Sequence, residues 1–385
     1  MRSRIKSVSS AAVVLLGITL GIRLQGAAAQ DRLLQDTVEF TGAVLFLEHK
    51  VPGLVIGAIR GPERAVSGFG ETGKGTGVSP GEQTVFRIGS VTKAFTGEVL
   101  ASLVANATVK LTDPLEKHLG WNVPIPTRDG KAVRLIDLAT HSGGFPREVP
   151  HQPGPAEDPF STITKESFKT SLDRDRLLFA PGTGALYSNM GFDLLAAALA
   201  GASGKTYADL LRERITAPLR MNDTGFSITA DQKARLMQGH DFDGKPLPDV
   251  PTGPIIVGSG GLYSSVSDIL TWLQWHVDRF AKDGAEVRLI EHATWLVRDG
   301  LIPVYGFDES GKMDGVALAW IVMMPRGNRP LILQKAGGLQ GIFCYAAFAP
   351  SRGVGAFIAI NKFHFGAAMA MASAVNDMIA ALAPR

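Results

Sequence analysis

Residues Phe86–Val104 read FRIGSVTKAFTGEVLASLV. Val91, Phe95, Val99, Leu100 and Leu103 recur at helical spacing, so the stretch predicts an extended approach to Gly89 followed by a helix that opens at Ser90. Serine at that place is a good helix cap. Lys93, three residues on, shares the same helix face and can bring its ammonium over the Ser90 hydroxyl. A serine hydroxyl attacks well at neutral pH only when a neighbour takes its proton. Lysine can do so when burial or the positive end of a helix lowers its pKa. The S-x-x-K pattern alone decides nothing, since Ser3 and Lys6 also show it and Ser90 reads equally well as a cap. The case for chemistry depends on partners elsewhere in the chain.

The 385 residues, 45% hydrophobic and 19% charged, fit one large globular domain or two intimate ones. Arg2, Arg4 and Lys6 precede an apolar run from Ala11 to Leu20, and Gly26-Ala27-Ala28-Ala29 follows. This predicts a secretory signal over residues 1–29 and a mature chain from 30 to 385 exported to the periplasm. Loss of those residues removes four basic side chains, Arg23 included, and no acidic ones, turning a formal charge of +3 into −1. Nucleic acid is therefore not an expected partner. No stretch after the signal reaches 18 uninterrupted apolar residues, so no transmembrane span is expected. The single cysteine, Cys344, sits in an apolar run and reads as a packed, inert thiol. The eight histidines show no metal-ligand spacing, so neither a metal nor another cofactor is predicted.

Residues 31–50 predict an amphipathic helix with Leu33, Leu34, Val38 and Val44 on its apolar side. Leu54–Ile59 and Arg64–Phe69 form a hairpin around a Gly-Pro turn. Helices are expected at 136–140, 192–200, 207–215 and 268–277, the last capped by Ser267. Proline-punctuated loops cover 146–166 and 241–254. Strands follow at 316–324, 331–334, 342–348 and 353–360, then a helix at 367–382. Strands at both ends and helices between predict an α+β fold, with one antiparallel sheet built from both chain ends and flanked by helices. The sheet part covers about 30–85 and 300–385, and an inserted helical part about 86–299.

Two segments can complete the chemistry around Ser90. Tyr187-Ser188-Asn189 follows a Pro-Gly turn; its phenol could act as a base and its amide could orient both Lys93 and a substrate. Gln334-Lys335-Ala336-Gly337-Gly338 places a cation at the end of an apolar strand, where it needs a cleft to face, beside glycines that leave backbone N–H groups open. Each also has a plain reading, as a packed tyrosine and a solvated hairpin lysine.

Ser-x-x-Lys, Tyr-x-Asn and Lys-x-Gly in this order resemble the serine β-lactamase and penicillin-binding protein superfamily. The Tyr-x-Asn form is similar to the class C branch, which includes DD-peptidases and esterases. The likeness extends to Leu138–Pro146 and Gly258–Ser264, and within the branch to D-alanyl-D-alanine carboxypeptidase/endopeptidases through Pro146-Arg147-Glu148 and Tyr187–Leu195. It implies a β-lactamase/transpeptidase-like fold and a serine hydrolase acting on peptidoglycan peptides or β-lactams. In that scheme Ser90 is acylated, Lys93 and Tyr187 share the proton work, and Asn189 orients them. Lys335 attracts the substrate carboxylate beside Gly337, and the N–H groups of Ser90 and Gly338 hold the oxyanion. One departure stands out: Ala336 occupies the place of the family's Thr or Ser.

Other signals carry less. Gly204-Lys205-Thr206 resembles the end of a phosphate loop, but Leu199 stands where a glycine is required. His141 has no G-x-S-x-G around Ser90 to serve and reads as structural. An esterase or weak β-lactamase is the alternative on the same scaffold, and a sensor without turnover is the alternative of a different class.

Overall fold

A computed structural model describes residues 32–174, 176–308 and 311–383. The predicted signal segment, residues 1–29, lies outside the described residues.

Twelve strands are followed here: β1 (Gly53–Arg60), β2 (Glu63–Gly70), β3 (Val85–Arg87), β4 (Ala185–Leu186), β5 (Tyr263–Ser265), β6 (Leu296–Val297), β7 (Val304–Tyr305), β8 (Gly315–Val316), β9 (Ile321–Met323), β10 (Ile332–Leu339), β11 (Ile342–Ala349) and β12 (Val354–Ile360). Eight form one antiparallel sheet in the order β2-β1-β12-β11-β10-β9-β8-β6. The expected sheet from both chain ends is present, with β1 paired to β12 through Leu54↔Ile360 and Arg60↔Val354.

Helices cover both faces. The longer ones are α1 (32–49), α2 (Thr92–Ala105), α3 (Asn189–Ser203), α4 (Val266–Val277), α5 (Ala285–His292) and α6 (Phe365–Leu382). Successive strand residues point to opposite faces. Leu54, Ile56 and Ala58 join Tyr345 and Ala347 under α1 and α6, packed by Leu34, Val38, Val375 and Ile379. Val55, Ile59, Cys344, Ala346 and Phe348 join the opposite core with Ile269 and Leu273 of α4 and Phe95 of α2. Burial on both faces explains why these strands read as unbroken apolar runs. Cys344 is fully buried, and burial pushes its thiol up. α6 is long and apolar enough to cross a membrane, and about half of it is buried inside the fold.

Several local expectations need correction. In α1 the buried side is Leu34, Val38 and Leu45, whereas Leu33 and Val44 are exposed. The expected strand at 316–324 is two short strands, because residues 317–320 form a turn closed by Ala317 N–H on the Trp320 carbonyl, with Ala319 at φ 67°. The cap of α4 is Ser265, which accepts from Asp268 N, and not Ser267. The strand carrying Lys335 continues to Leu339, so Lys335 lies inside it rather than at its end.

Candidate active site

Ser90 stands on a short 3-10 turn, Gly89–Val91, between β3 and α2. β3 pairs with β5, and Ile88 N–H donates to the Leu262 carbonyl, which anchors the approach. Ser90 therefore does not cap α2, which begins at Thr92 after Val91. The i,i+3 relation to Lys93 survives because side chains three apart also align in a 3-10 turn.

Gly89 has φ 49°, and a Cβ there would stand 2.7 Å from Gly338 N. A Cβ on Gly337 would stand 2.1 Å from the Ile88 carbonyl oxygen and 3.0 Å from Ser90 N. Two glycines thus let β10 and the Ser90 turn approach backbone to backbone. The ladder between β10 and β9 includes only Ile332–Gln334. Beyond it, β10 borders a cavity.

Lys93 is fully buried. Its Nζ donates to Ser90 Oγ at 3.1 Å, Asn189 Oδ1 at 2.6 Å and the Ser259 carbonyl at 2.7 Å. Burial is the largest cause that pushes its pKa down, to about 7; Arg147 adds to the fall, while Asp193 and Glu148 oppose it. A lysine so placed can be neutral near neutral pH and can accept the Ser90 proton. Asp193, one helical turn beyond Asn189, is also buried, and desolvation pushes its carboxyl up. It accepts from Ser259 Oγ at 2.9 Å and from the N–H groups of Gly258 and Ser259 at 3.1 and 2.8 Å. Those bonds hold the 258–261 loop whose carbonyl meets Lys93.

Asn189 is the first residue of α3, not a loop residue, and Ser188 caps the helix by accepting from Gly191 N. Its amide group bridges two charges: Oδ1 accepts from Lys93 and Nδ2 donates to Glu148. Its own N–H donates to the Arg147 carbonyl at 2.7 Å.

Tyr187 follows β4, which pairs in parallel with β7, and its N–H donates to the Tyr305 carbonyl. Lys93 Nζ lies 4.9 Å, Lys335 Nζ 4.5 Å and Arg147 Cζ 4.9 Å from the centre of its ring. His141 stacks on that ring at 4.5 Å, and its Nδ1 accepts from Ser188 N–H at 3.0 Å. Burial first, then Lys335, Lys93 and Arg147, hold His141 well below its usual pKa. A neutral imidazole is what that acceptor role requires. The structural reading of His141 thus gains a content: it seats Tyr187.

A cavity of about 620 Å³ is bordered by Ser90, Tyr187, Lys335, Ala336, Gly337 and Gly338. A second, of about 380 Å³, is bordered by Ser90, Glu148, Asn189, Asp193, Ser259 and Gly338. Ser90 and Gly338 border both, which leaves room on either side of a group attacked by Ser90 Oγ. Val149, Phe160 and Ile163 of the 146–166 loop, and Thr252 of the 241–254 loop, line the smaller one. All seven residues singled out in the sequence therefore meet here. Sequence reasoning assigned no role to Arg147, Glu148, Asp193 or Ser259. All four lie in stretches that carried a signal only through resemblance: Pro146-Arg147-Glu148, Tyr187–Leu195 and Gly258–Ser264.

The β-lactamase family model matches residues 30–377 of this chain. The chain belongs to the β-lactamase family. It is 34% identical over 380 residues, 98% of this chain and 97% of the relative, to the D-alanyl-D-alanine-carboxypeptidase/endopeptidase AmpH of Escherichia coli K12. It is 25% identical to a β-lactamase of Pseudomonas fluorescens, over 86% of this chain and 94% of that one. Among solved structures, a β-lactamase/D-alanine carboxypeptidase from Yersinia pestis complexed with citrate superposes with a TM-score of 0.83 at 33% identity, over 92% of this chain and 99% of that one. A Pseudomonas syringae protein of the same description, at 19% identity and a TM-score of 0.73 over 90% and 98% of the two chains, shares the fold. The resemblance read from the three motifs holds, and so does the expected β-lactamase/transpeptidase-like fold. The protein is a serine hydrolase of this family.

Proposed function

We propose that the protein is a periplasmic DD-peptidase, a carboxypeptidase and endopeptidase, that hydrolyses peptidoglycan stem peptides through an acyl-enzyme on Ser90. The observation that carries this reading is the buried Lys93 ammonium on Ser90 Oγ, with Tyr187 and Lys335 on the same cavity wall. Neutral Lys93 takes the hydroxyl proton as Ser90 attacks the scissile carbonyl. Backbone N–H groups of Ser90 and Gly338 receive the developing oxyanion, a kind of stabilisation that is among the largest in acyl transfer. Tyr187, among three cations, passes the proton to the leaving amine, and Lys335 attracts the terminal carboxylate. Water then releases the acyl group. Periplasmic location rests on the residues 1–29 pattern. Digestion of purified muropeptides by the mature protein tests the proposal: release of D-alanine or cleavage of cross-links is expected, and intact substrates together with no covalent labelling by fluorescent penicillin would refute it.

Acylation is expected to rise with pH and level off above about 7, because Lys93, pushed down to about 7 by burial, is the base only when neutral. Asp193 pushes the Lys93 pKa up, so Asp193→Asn should move the midpoint to lower pH. Stopped-flow acylation by a chromogenic β-lactam measures both; a rate flat from pH 5 to 9 would remove Lys93 from the base role.

A second reading, an esterase or weak β-lactamase, is favoured by Ala336. Its methyl lines the larger cavity where a hydroxyl could grip a carboxylate, and Phe307, Phe343, Phe363 and Met369 add apolar wall. A hydrogen bond to a charged group contributes about 1.5–3 kcal/mol. Ala336→Thr is thus expected to raise kcat/KM for anionic substrates by about 10- to 100-fold and to leave neutral esters unchanged. Lys335→Ala should depress the anionic substrates alone. Equal effects on both classes would show that no carboxylate is held there.

A further inference from the structure

Behind α2, on the side away from the cavity, four titratable side chains from three helices converge. Glu98 comes from α2, His276 from the last turn of α4, and Glu291 and His292 from the last turn of α5. Glu98, His276 and Glu291 are buried, with at most 3% of their surface exposed. His276 Nδ1 lies 2.9 Å from His292 Nε2 and 3.9 Å from Glu291 Oε2. The ligand-capable atoms of His276, Glu291 and His292 all lie within 4.8 Å of one another. Ligands about 2.0–2.2 Å from a tetrahedral zinc stand roughly 3.3–3.6 Å apart, so only small side-chain shifts separate this arrangement from a coordination sphere.

We propose that His276 Nδ1, Glu291 Oε2 and His292 Nε2 form a structural site for Zn²⁺, with Glu98 as the carboxylate that orients His276. Glu291 has one oxygen occupied and the other open, and a buried nitrogen of His276 is open too. Trp320 Nε1 donates to Glu291 Oε1 at 2.7 Å, while Oε2 has no hydrogen-bond partner among the described residues. His276 Nε2 also has none; Glu98 Oε2 stands 3.9 Å from it, beyond hydrogen-bond distance, and would close on it to support a metal-bound imidazole. Trp272 Nε1 donates to the same Glu98 oxygen at 2.6 Å.

Charge points the same way. Two neighbouring buried carboxyl groups are costly to ionise without a cation beside them. Arg288, on α5, directs its guanidinium to the carbonyls of Ala281 and Asp283 instead. A divalent cation balances Glu98 and Glu291, and it sits at the negative ends of α4 and α5. Histidine with carboxylate suits zinc. The sequence reading predicted no metal because these ligands span helices and show no short spacing. The site lies outside the Ser90 cavities, so bound Zn²⁺ would tie α2, which carries Lys93, to α4 and α5 without touching substrate.

The test is metal content. Full-length mature protein is stripped with a chelator, equilibrated with Zn²⁺, desalted and assayed by mass spectrometry of the metal. About one zinc per chain, with a raised Tm, is expected for a filled structural site. Glu98→Gln keeps all three ligands and should weaken zinc affinity about 10- to 100-fold. His292→Ala, whose side chain is only partly covered, should weaken it further. Cobalt in place of zinc in the wild-type chain should give visible bands of a nitrogen–oxygen site, which guards against a variant that does not fold. Three results would overturn the proposal: no zinc retained by the wild type, zinc retained undiminished by both variants, or no cobalt bands.

Discussion

Lys93→Arg is expected to abolish acylation nearly as completely as Ser90→Ala, lowering kcat/KM about 10⁴-fold or more. Arginine keeps the charge but cannot lose its proton, so it can hold a geometry and not serve as a base. The slot also resists it. Lys93 Nζ is held by Ser90 Oγ, Asn189 Oδ1 and the Ser259 carbonyl within 3.1 Å, with no surface exposed. A forked guanidinium would displace one of them. Because serine and base act as one unit, the double variant should be no worse than the worse single one. Intact mass after exposure to penicillin reads the adduct directly, and Tm separates lost chemistry from lost structure. Ser90→Ala should leave Tm nearly unchanged. An arginine variant that still forms adduct at a tenth of the wild-type rate would mean that another group takes the proton.

Gly337→Ala is expected to damage fold and activity together. The added methyl would meet the Ile88 carbonyl oxygen at 2.1 Å and Ser90 N at 3.0 Å, and both are backbone atoms that cannot rotate away. Either β10 or the Ser90 turn must move. Overpacking of this kind costs about 1–3 kcal/mol, sometimes more, and a displacement near 1 Å at the reacting atoms costs about 100-fold in rate. Urea unfolding and esterase or peptidase assays measure the two effects. Gly300→Ala, where a Cβ meets nothing within 4 Å, is the control and should change stability by less than about 0.5 kcal/mol. Full activity in the Gly337 variant would show that the close approach is not what positions Ser90.

Much of this architecture was legible in the chain. The hairpin of β1 and β2, the strands of the C-terminal region and the closing helix followed from apolar runs and turn residues. Where the reading erred, it erred at boundaries and faces. Leu33 and Leu34 are neighbours in sequence, but only tertiary packing put Leu34 inside. Lys335 was read as ending a strand because a cation interrupts an apolar run. In the fold it stays in the strand, 2% exposed, because a tyrosine ring and a cavity receive its amine.

By itself, the sequence determined the α+β class, the Ser90–Lys93 relation and, through three motifs in order, the family. Those are properties of local spacing, which a chain carries wherever it is placed. Tertiary structure alone decided that Asn189 links Lys93 to Glu148, that Asp193 grips the 258–261 loop, and that His276 meets Glu98, Glu291 and His292. Residues so far apart become neighbours only when helices and sheet close around them. The forces that then act on them, desolvation and charge in a dry interior, have no counterpart in the extended chain.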